Sequence, residues 1–479
     1  MHFLEVSVLG EFRVKQLPLL VAVAFLVLVV FLPTIHDDLV YDDGPQIAEN
    51  PRLTSWSYLP GYFTQHLWAH NPDVPGYYYR PLFLVWLRLL YATFGRPGPI
   101  WHLSSVILHL AVSVSVFLLA HRLSGNWSGA VLATALFAVH PVNLETVAWL
   151  SASSELLLTL FLVLCLYSYA ERKNLISFVS LLCATCAILI KETGVVAPLL
   201  ILAYEWKQTS LKRAIEAAAL YLLPVLLYFA LRIAALGDSK VGLWTDLSVR
   251  GMILTWPRVL WLYAAHLLWP AHLGLFYDVP AETRLWPIVL LAAIALGAVL
   301  AILRCGKSVR VGAAWFFVTL APAMALPMLH ADNYVHDHYL YLPFVGIVLM
   351  MAEWFGMIRW SAPAILTACT SCLACCFVTR SDLPFWRDQT ALFTRAVETA
   401  PLNPHAKNNL GVAYMNSHRE TEALPLLEQA IALSRPGFYL DAYYNLATCY
   451  ERLGRHAEAE RYAAAWRQVM AQQAVPRGR

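Results

Sequence analysis

Long apolar blocks almost free of charge recur along the first 380 or so residues of this chain. They run about 16–22 residues each, the length at which a helix crosses a bilayer. No soluble core of this size could hide so much apolar surface. Hydrophobic residues make up 59% of the 479, and charged residues only 14%, where a soluble domain averages nearer a quarter charged. A soluble enzyme, a disordered chain and a disulfide scaffold are excluded. A net charge of +3 is too small for the basic footprint of a nucleic-acid binder.

The apolar blocks predict eleven spans: 17–35, 101–121, 127–141, 153–171, 175–190, 194–206, 212–235, 286–304, 312–329, 338–357 and 362–379. Arg13 and Lys15 precede the first, and no small-residue cleavage site follows it, so it is expected to stay as a membrane helix. Arg122, then Arg172 and Lys173, then Lys207, Lys212 and Arg213 mark one side. So do Arg304, Lys307 and Arg310, then Arg359, provided that 254–270 enters and leaves on one face. The N-terminus is then inside and the C-terminus outside. Segment 81–95 carries Arg88 in mid-run and reads as an interfacial amphipathic helix. Cys183 and Cys186, like Cys372 and Cys375, have CxxC spacing inside apolar blocks, where thiols pack as small hydrophobes.

The last hundred residues are charged, Ala-rich and repetitive. Asn409-Leu410-Gly411 recurs as Asn445-Leu446-Ala447, Tyr414 as Tyr450 and Ala423 as Ala459, each 36 residues on. That is the tetratricopeptide (TPR) pattern, stretched beyond its usual length of about 34 by an insertion near Pro436–Tyr439. With a half-repeat ending at Ala396, there are about two and a half helix pairs, which are expected to dock on the membrane domain. The division predicted is 1–380 for the membrane domain and 381–479 for the repeats. The fold class is all-α: a polytopic helix bundle with a C-terminal α-hairpin repeat domain.

Chemistry gathers in the outer loops. Residues 36–50 hold two acid pairs, Asp37-Asp38 and Asp42-Asp43. Adjacent carboxylates beside a bilayer can supply a general base, hold a divalent metal, or simply make a solvated turn. A second turn carries His140, Pro141 and Glu145, then Trp149 and Glu155. A third places Lys191-Glu192 at a hairpin tip. In the fourth, 330–343, His336 and His338 with Asp332 form a candidate metal set; His330 and Asp337 have ligand chemistry too. Helix capping and phosphate contact are the other readings of this turn. Charges recurring at span ends on one face mark a functional site.

The ordered motifs YDDGPQIAENP (41–51), YYRP (78–81), HPVNLETVAWLSASSELL (140–157), KET (191–193) and HYLYLP (338–343), with terminal TPR repeats, resemble one family. It is the transmembrane-and-TPR-repeat-containing (TMTC) proteins and their bacterial relatives. These are GT-C glycosyltransferases akin to protein O-mannosyltransferases and the lipid A aminoarabinose transferase. The resemblance implies inverting transfer of a sugar, such as mannose, from a polyprenyl-phosphate donor to protein Ser/Thr at the outer face of a bacterial inner membrane. It implies Asp42, Asp43 and Glu145 as the catalytic set, with Asp42 as base. Arg80, Lys191 and His338 would bind the donor phosphate, and His140, Glu155 and Tyr339 are further site candidates. Asn408, Asn409, Tyr443, Tyr444 and Asn445 lie on first helices of the repeats, where an acceptor protein would bind. No cofactor is required on this reading, and a divalent metal is compatible with it. Ser153, Ser154 and His338 stand where relatives carry basic residues, so this chain has fewer cations for a phosphate. A lipid or glycan acceptor, or a TPR scaffold without activity, are the competing functions.

Overall fold

The computed structural model describes residues 17–71, 76–171, 177–206, 208–237, 249–279, 284–324, 335–358, 362–434 and 440–474. Arg13, Lys15, Arg172, Lys173, Lys207, His330, Asp332, Arg359 and the insertion at Pro436–Tyr439 lie outside them. The described residues form helices joined by turns and irregular segments, with no strand among them.

Among the described residues, five helical stretches are long and apolar enough to cross a membrane: Pro99–Ser124, Leu150–Ala170, Leu211–Leu236, Asp337–Met357 and Pro363–Trp386. The bent pair Trp127–Val139 and Pro141–Ala148 makes a sixth if it counts as one span. Shorter apolar helices stand at Leu20–His36, Pro81–Phe94, Phe178–Ile190 and Trp286–Ile302. The chain is an integral membrane protein, and among the described residues five stretches, or six with the bent pair, have this length and composition, where the sequence predicts eleven spans. One expected span takes another form. The expected span 194–206 is a 3-10 turn, Glu192–Val196, and a helix, Ala197–Glu205. Together they are too short for a hydrocarbon core of about 30 Å. Gly194 permits this fold-back, because a Cβ there would lie 2.5 Å from the Ile188 nitrogen. Most of segment 254–270 lies in a continuous 20-residue helix, Val249–Leu268, which accommodates Pro257 internally.

Helix 81–94 forms as expected, and Arg88 is buried with its guanidinium 4.8 Å from the Trp56 ring centre. The core runs through helices 99–124, 127–139, 153–170, 307–324 and 341–357. Gly312 and Gly346 bring the last two together so closely that a Cβ on either would strike the other's carbonyl oxygen at about 2.5 Å.

The C-terminal helices are Gln389–Thr399, Pro404–Asn416, Glu420–Leu433, Leu440–Arg452 and His456–Ala474, a half-repeat and two hairpins. Gly411 lies against Leu427, the close approach that the small residue of a TPR hairpin serves. The half-repeat does dock on the acid-bearing loop and on residues 273–278. Arg395 Nε donates to the Leu273 carbonyl at 2.9 Å, and the Leu402 N–H to Asp278 at 2.9 Å. The Asp38 N–H donates to the Arg387 carbonyl at 2.8 Å.

Candidate active site

After the first helix, Leu17–Phe31, a 3-10 turn at Leu32–His36 leads into the acid-bearing loop. Tyr41 there has φ 54°, a conformation uncommon for a bulky residue. Three rings hold it: Trp149 at 5.5 Å, and Phe276 and Phe393 at 6.0 Å. Its N–H donates to Gln389 at 3.3 Å. The left-handed turn sends the next two carboxylates to different fates. Asp43 is fully buried and accepts from the Ser151 N–H at 2.8 Å, the Ser151 hydroxyl at 2.6 Å and the Val40 N–H at 3.3 Å. Asp42 is half-buried, and its carboxylate has no hydrogen-bond partner among the described residues. Burial pushes Asp42 up to about 6, against the pull of nearby His336. Burial likewise pushes Asp43 up to about 7 despite its three donors. The pair thus splits into an anchor and a free carboxylate.

Glu145 is also buried, and it organises residues 336–338. Its Oε2 accepts from the N–H groups of Asp337 at 2.8 Å and His338 at 3.1 Å. Its Oε1 lies 2.7 Å from His338 Nδ1 and 3.5 Å from His336 Nδ1. Asp337 is held in turn by His266 Nδ1 at 2.7 Å and by the Tyr277 hydroxyl, which donates at 2.5 Å. His140 does local work. Its Nδ1 accepts from the Val142 N–H at 3.2 Å, and its Nε2 faces the Leu267 carbonyl at 3.2 Å. Glu145, His336 and His338 bring their ligand atoms within 4.8 Å of one another. Among the described residues these three are the set able to hold a metal, and Asp332 lies outside those residues.

Two ion pairs flank this cluster. Arg80 grips Glu192 through Nε at 2.9 Å and Nη2 at 2.5 Å, with Tyr78 beneath its guanidinium at 4.7 Å. Glu192 is pulled down to about 2 by that guanidinium and by Lys191, against its burial. Lys191 pairs with Glu155, both buried, and sits over the Tyr339 ring at 5.6 Å. The Tyr339 ring centre is 4.1 Å from that of His338. Tyr78 feels the charges of Arg80, Glu192 and Asp42 together, so the acid loop and the cations share one site. Ser153 and Ser154 are buried at the start of the helix that carries Glu155.

Acids and cations from five separated segments, at 42–43, 78–80, 145–155, 191–192 and 336–338, therefore converge. The partners Ser151, His266 and Tyr277 were not foreseen. Nothing local marks them, since each acts through a carboxylate at least 60 residues away. In the repeats, Asn445 Nδ2 donates to Asn408 at 2.9 Å and Asn408 Nδ2 to Asn409 at 3.1 Å, a ladder across successive first helices. Tyr443 is half-buried. Tyr444 instead packs on Trp466 of the last helix, with ring centres 5.6 Å apart, which occupies it within its own hairpin.

A tetratricopeptide repeat family model matches residues 404–465. The Drosophila melanogaster protein O-mannosyl-transferase Tmtc1 is 31% identical over 194 residues, covering 39% of this chain and 22% of that protein. The Homo sapiens protein O-mannosyl-transferase TMTC3 is 24% identical over 94% of this chain and 55% of that protein. The chain thus spans about half the length of the human relative and less of the fly one. The crystal structure of ArnT from Cupriavidus metallidurans bound to undecaprenyl phosphate superposes with a TM-score of 0.44 and 14% identity, over 92% of this chain and 78% of that one. Across most of its length this integral membrane chain is similar to the TMTC protein O-mannosyl-transferases, and its residues 404–465 match the tetratricopeptide repeat.

Proposed function

We propose that this protein transfers a sugar from a polyprenyl-phosphate donor to a protein hydroxyl, with inversion at the anomeric carbon. One observation carries the reading: beside Arg80, Lys191 and His338, where Asp43, Glu145, Glu155, Glu192 and Asp337 are all engaged, the Asp42 carboxylate has no hydrogen-bond partner among the described residues. The names of the relatives point the same way, and suggest mannose as the sugar. On this reading, residues 1–380 are the catalytic membrane domain, and 381–479 recruit the acceptor protein at the periplasmic face of a bacterial inner membrane.

The chemistry balances without a further reagent. Asp42 takes the proton of the acceptor Ser or Thr hydroxyl as its oxygen attacks the anomeric carbon. The bond from that carbon to the phosphate oxygen breaks, and its electron pair leaves with the phosphate. The products are the glycosylated hydroxyl, polyprenyl phosphate and a protonated Asp42. The leaving group is already anionic, so the site needs cations to steady the charge gathering on it. Arg80 and Lys191 are those cations, with His338 near the same point. Asp43 sets the loop against Ser151, and Glu145 sets the 336–338 segment. The test is transfer by the purified full chain to a Ser/Thr peptide from a polyprenyl-phosphate sugar. Asp42→Asn should remove transfer. A fully active variant, or a wild type inert with every such donor, overturns the reading.

A further inference from the structure

Glu192 lies side-on against Arg80, with one oxygen on Nε and the other on Nη2. A phosphate binds an arginine through the same fork. The side chain of Arg80 is 13% exposed and that of Glu192 39%, whereas those of Lys191 and Glu155 are 8% and 5% exposed. This contrast decides which pair can open. A carboxylate leaving Lys191 would strand two buried charges, which is strongly unfavourable. A carboxylate leaving Arg80 swings toward water and recovers hydration, which offsets part of the attraction it gives up. Tyr78 stays under the guanidinium and keeps its plane fixed through the exchange.

We infer that Glu192 is a built-in stand-in for the donor phosphate, occupying the Arg80 fork in the empty enzyme and leaving it when the phosphate arrives. The inference rests on the proposed polyprenyl-phosphate donor and names the residue that regulates entry to its site. The exchange makes and breaks only ion pairs: Arg80 passes from one anion to another, and Glu192 goes out to solvent. Lys191 remains on Glu155 throughout and contributes its field rather than a direct contact. The resident carboxylate lowers the affinity for the lipid by holding the receptive arginine in a minor population. It also lets product go, because Glu192 recaptures Arg80 as polyprenyl phosphate departs.

The test uses the full chain in detergent, with undecaprenyl phosphate and uncharged undecaprenol as probes. Glu192→Gln should bind undecaprenyl phosphate about tenfold more tightly, as expected when one binding-competent state in ten becomes the major one. Its affinity for undecaprenol should not change. Undecaprenyl phosphate should also raise its melting temperature more than that of the wild type, since the lipid then supplies the missing anion. Glu192→Asp keeps the charge but shortens the reach, and should tighten binding by a smaller factor if the amide variant does not fold. Weaker or unchanged binding in a folded variant overturns the inference and makes Glu192 a prop for Arg80. If neither wild type nor variant prefers the phosphate to the alcohol, the donor class itself is wrong and the inference falls with it. Tightening in the variant alone supports it.

Discussion

Asp43 and Ser151, 108 residues apart in sequence, are joined by two hydrogen bonds, 2.8 Å from the serine N–H and 2.6 Å from its hydroxyl. Both converge on one carboxylate oxygen, while Val40 occupies the other. The bond ties the acid loop to the turn that precedes helix 153–170. Asp42 is thereby presented at a fixed position with its own oxygens uncommitted.

The two neighbouring acids should therefore respond differently to the same change. Asp42→Asn should cut transfer by about 10²–10⁴, the range for a lost general base. It should leave the fold intact, because no partner of its carboxylate is orphaned. Asp43→Asn puts an amide where three donors point, and should lower both activity and melting temperature, by about 1–3 kcal/mol of stability. Asp37→Asn should be mild. Transfer rates and detergent melting curves on the three variants separate these outcomes. Equal activity losses in Asp42→Asn and Asp37→Asn would remove Asp42 from its role.

The pH dependence follows from burial. Asp42 is pushed up to about 6 and must be ionised to accept a proton, so transfer should rise with pH through about 6 and then level. Stability runs the other way. Asp42 and Asp43 bind protons more tightly when folded than their ordinary value of 3.8 allows. Their contribution is fully present below that value and is lost as pH rises through about 6 and 7. The melting temperature of the wild type should therefore fall, relative to Asp42→Asn, between pH 4 and 7. A flat difference between the two curves would contradict the buried, partner-free carboxylate.

Glu145 carries four contacts, so its replacement tests the 336–338 segment as a unit. Glu145→Gln keeps the shape but cannot serve two backbone N–H groups and a histidine together. Its melting temperature should drop by the equivalent of about 3–5 kcal/mol, the cost of breaking a buried pair, and transfer should be lost. Because Glu145 Oε1 already bonds His338 Nδ1, a metal at Glu145, His336 and His338 would have to displace that contact. Chelator treatment followed by dialysis should leave transfer unchanged. Loss of activity, restored by one divalent ion, would make those three residues a metal centre.

How much of this was legible in the sequence depends on the range of the interaction. Asp42, Arg80, Glu145 and Lys191 stand out because charge at the end of an apolar block is conspicuous whatever it contacts. The TPR helices are legible because their small residues recur at a fixed interval, and Gly411 packs on Leu427 as that recurrence requires. Which acid is free and which is bound was not legible. It turns on the φ of Tyr41 and on Ser151, and neither leaves a local pattern. The pairing of both cations was hidden for the same reason, since Glu192 and Lys191 are adjacent in sequence yet seek partners on different helices. Span 194–206 misled because apolar composition does not show that the chain folds back at Gly194.

Topology can be tested without deciding whether 249–268 crosses the membrane. Asp38 and Tyr41 bond directly to Arg387 and Gln389, so the acid loop and the repeats share a side. Cysteine-accessibility labels at Asp38 and after Ala474 should react from the same face of sealed vesicles. With the charge bias of the inner loops, that face should be the periplasmic one. Labels protected from opposite faces would contradict the docking of the half-repeat.

Recruitment by the repeats is best tested with point changes. Truncation at 401 would remove Ala406, Leu410 and Ala413, which are buried in the same core as the membrane helices. Loss of activity on truncation would therefore reflect packing as much as recruitment. Tyr443 is half-buried on the first helix that also carries Asn445, which continues the Asn408–Asn409 ladder. An extended acceptor chain lying along that row could bond to its amides without needing a particular sequence. Tyr443→Ala should lower kcat/KM for a native protein acceptor by about tenfold, as for removal of one aromatic anchor. It should spare a short free peptide, for which the repeats add no local concentration. Tyr444→Ala should act differently, because Tyr444 already packs on Trp466. It should lower the melting temperature and leave the ratio of protein to peptide activity unchanged. If Tyr443→Ala slows protein and peptide alike, or neither, the first-helix row is not the acceptor surface. The repeats then act through their docking on the Asp38–Tyr41 loop instead.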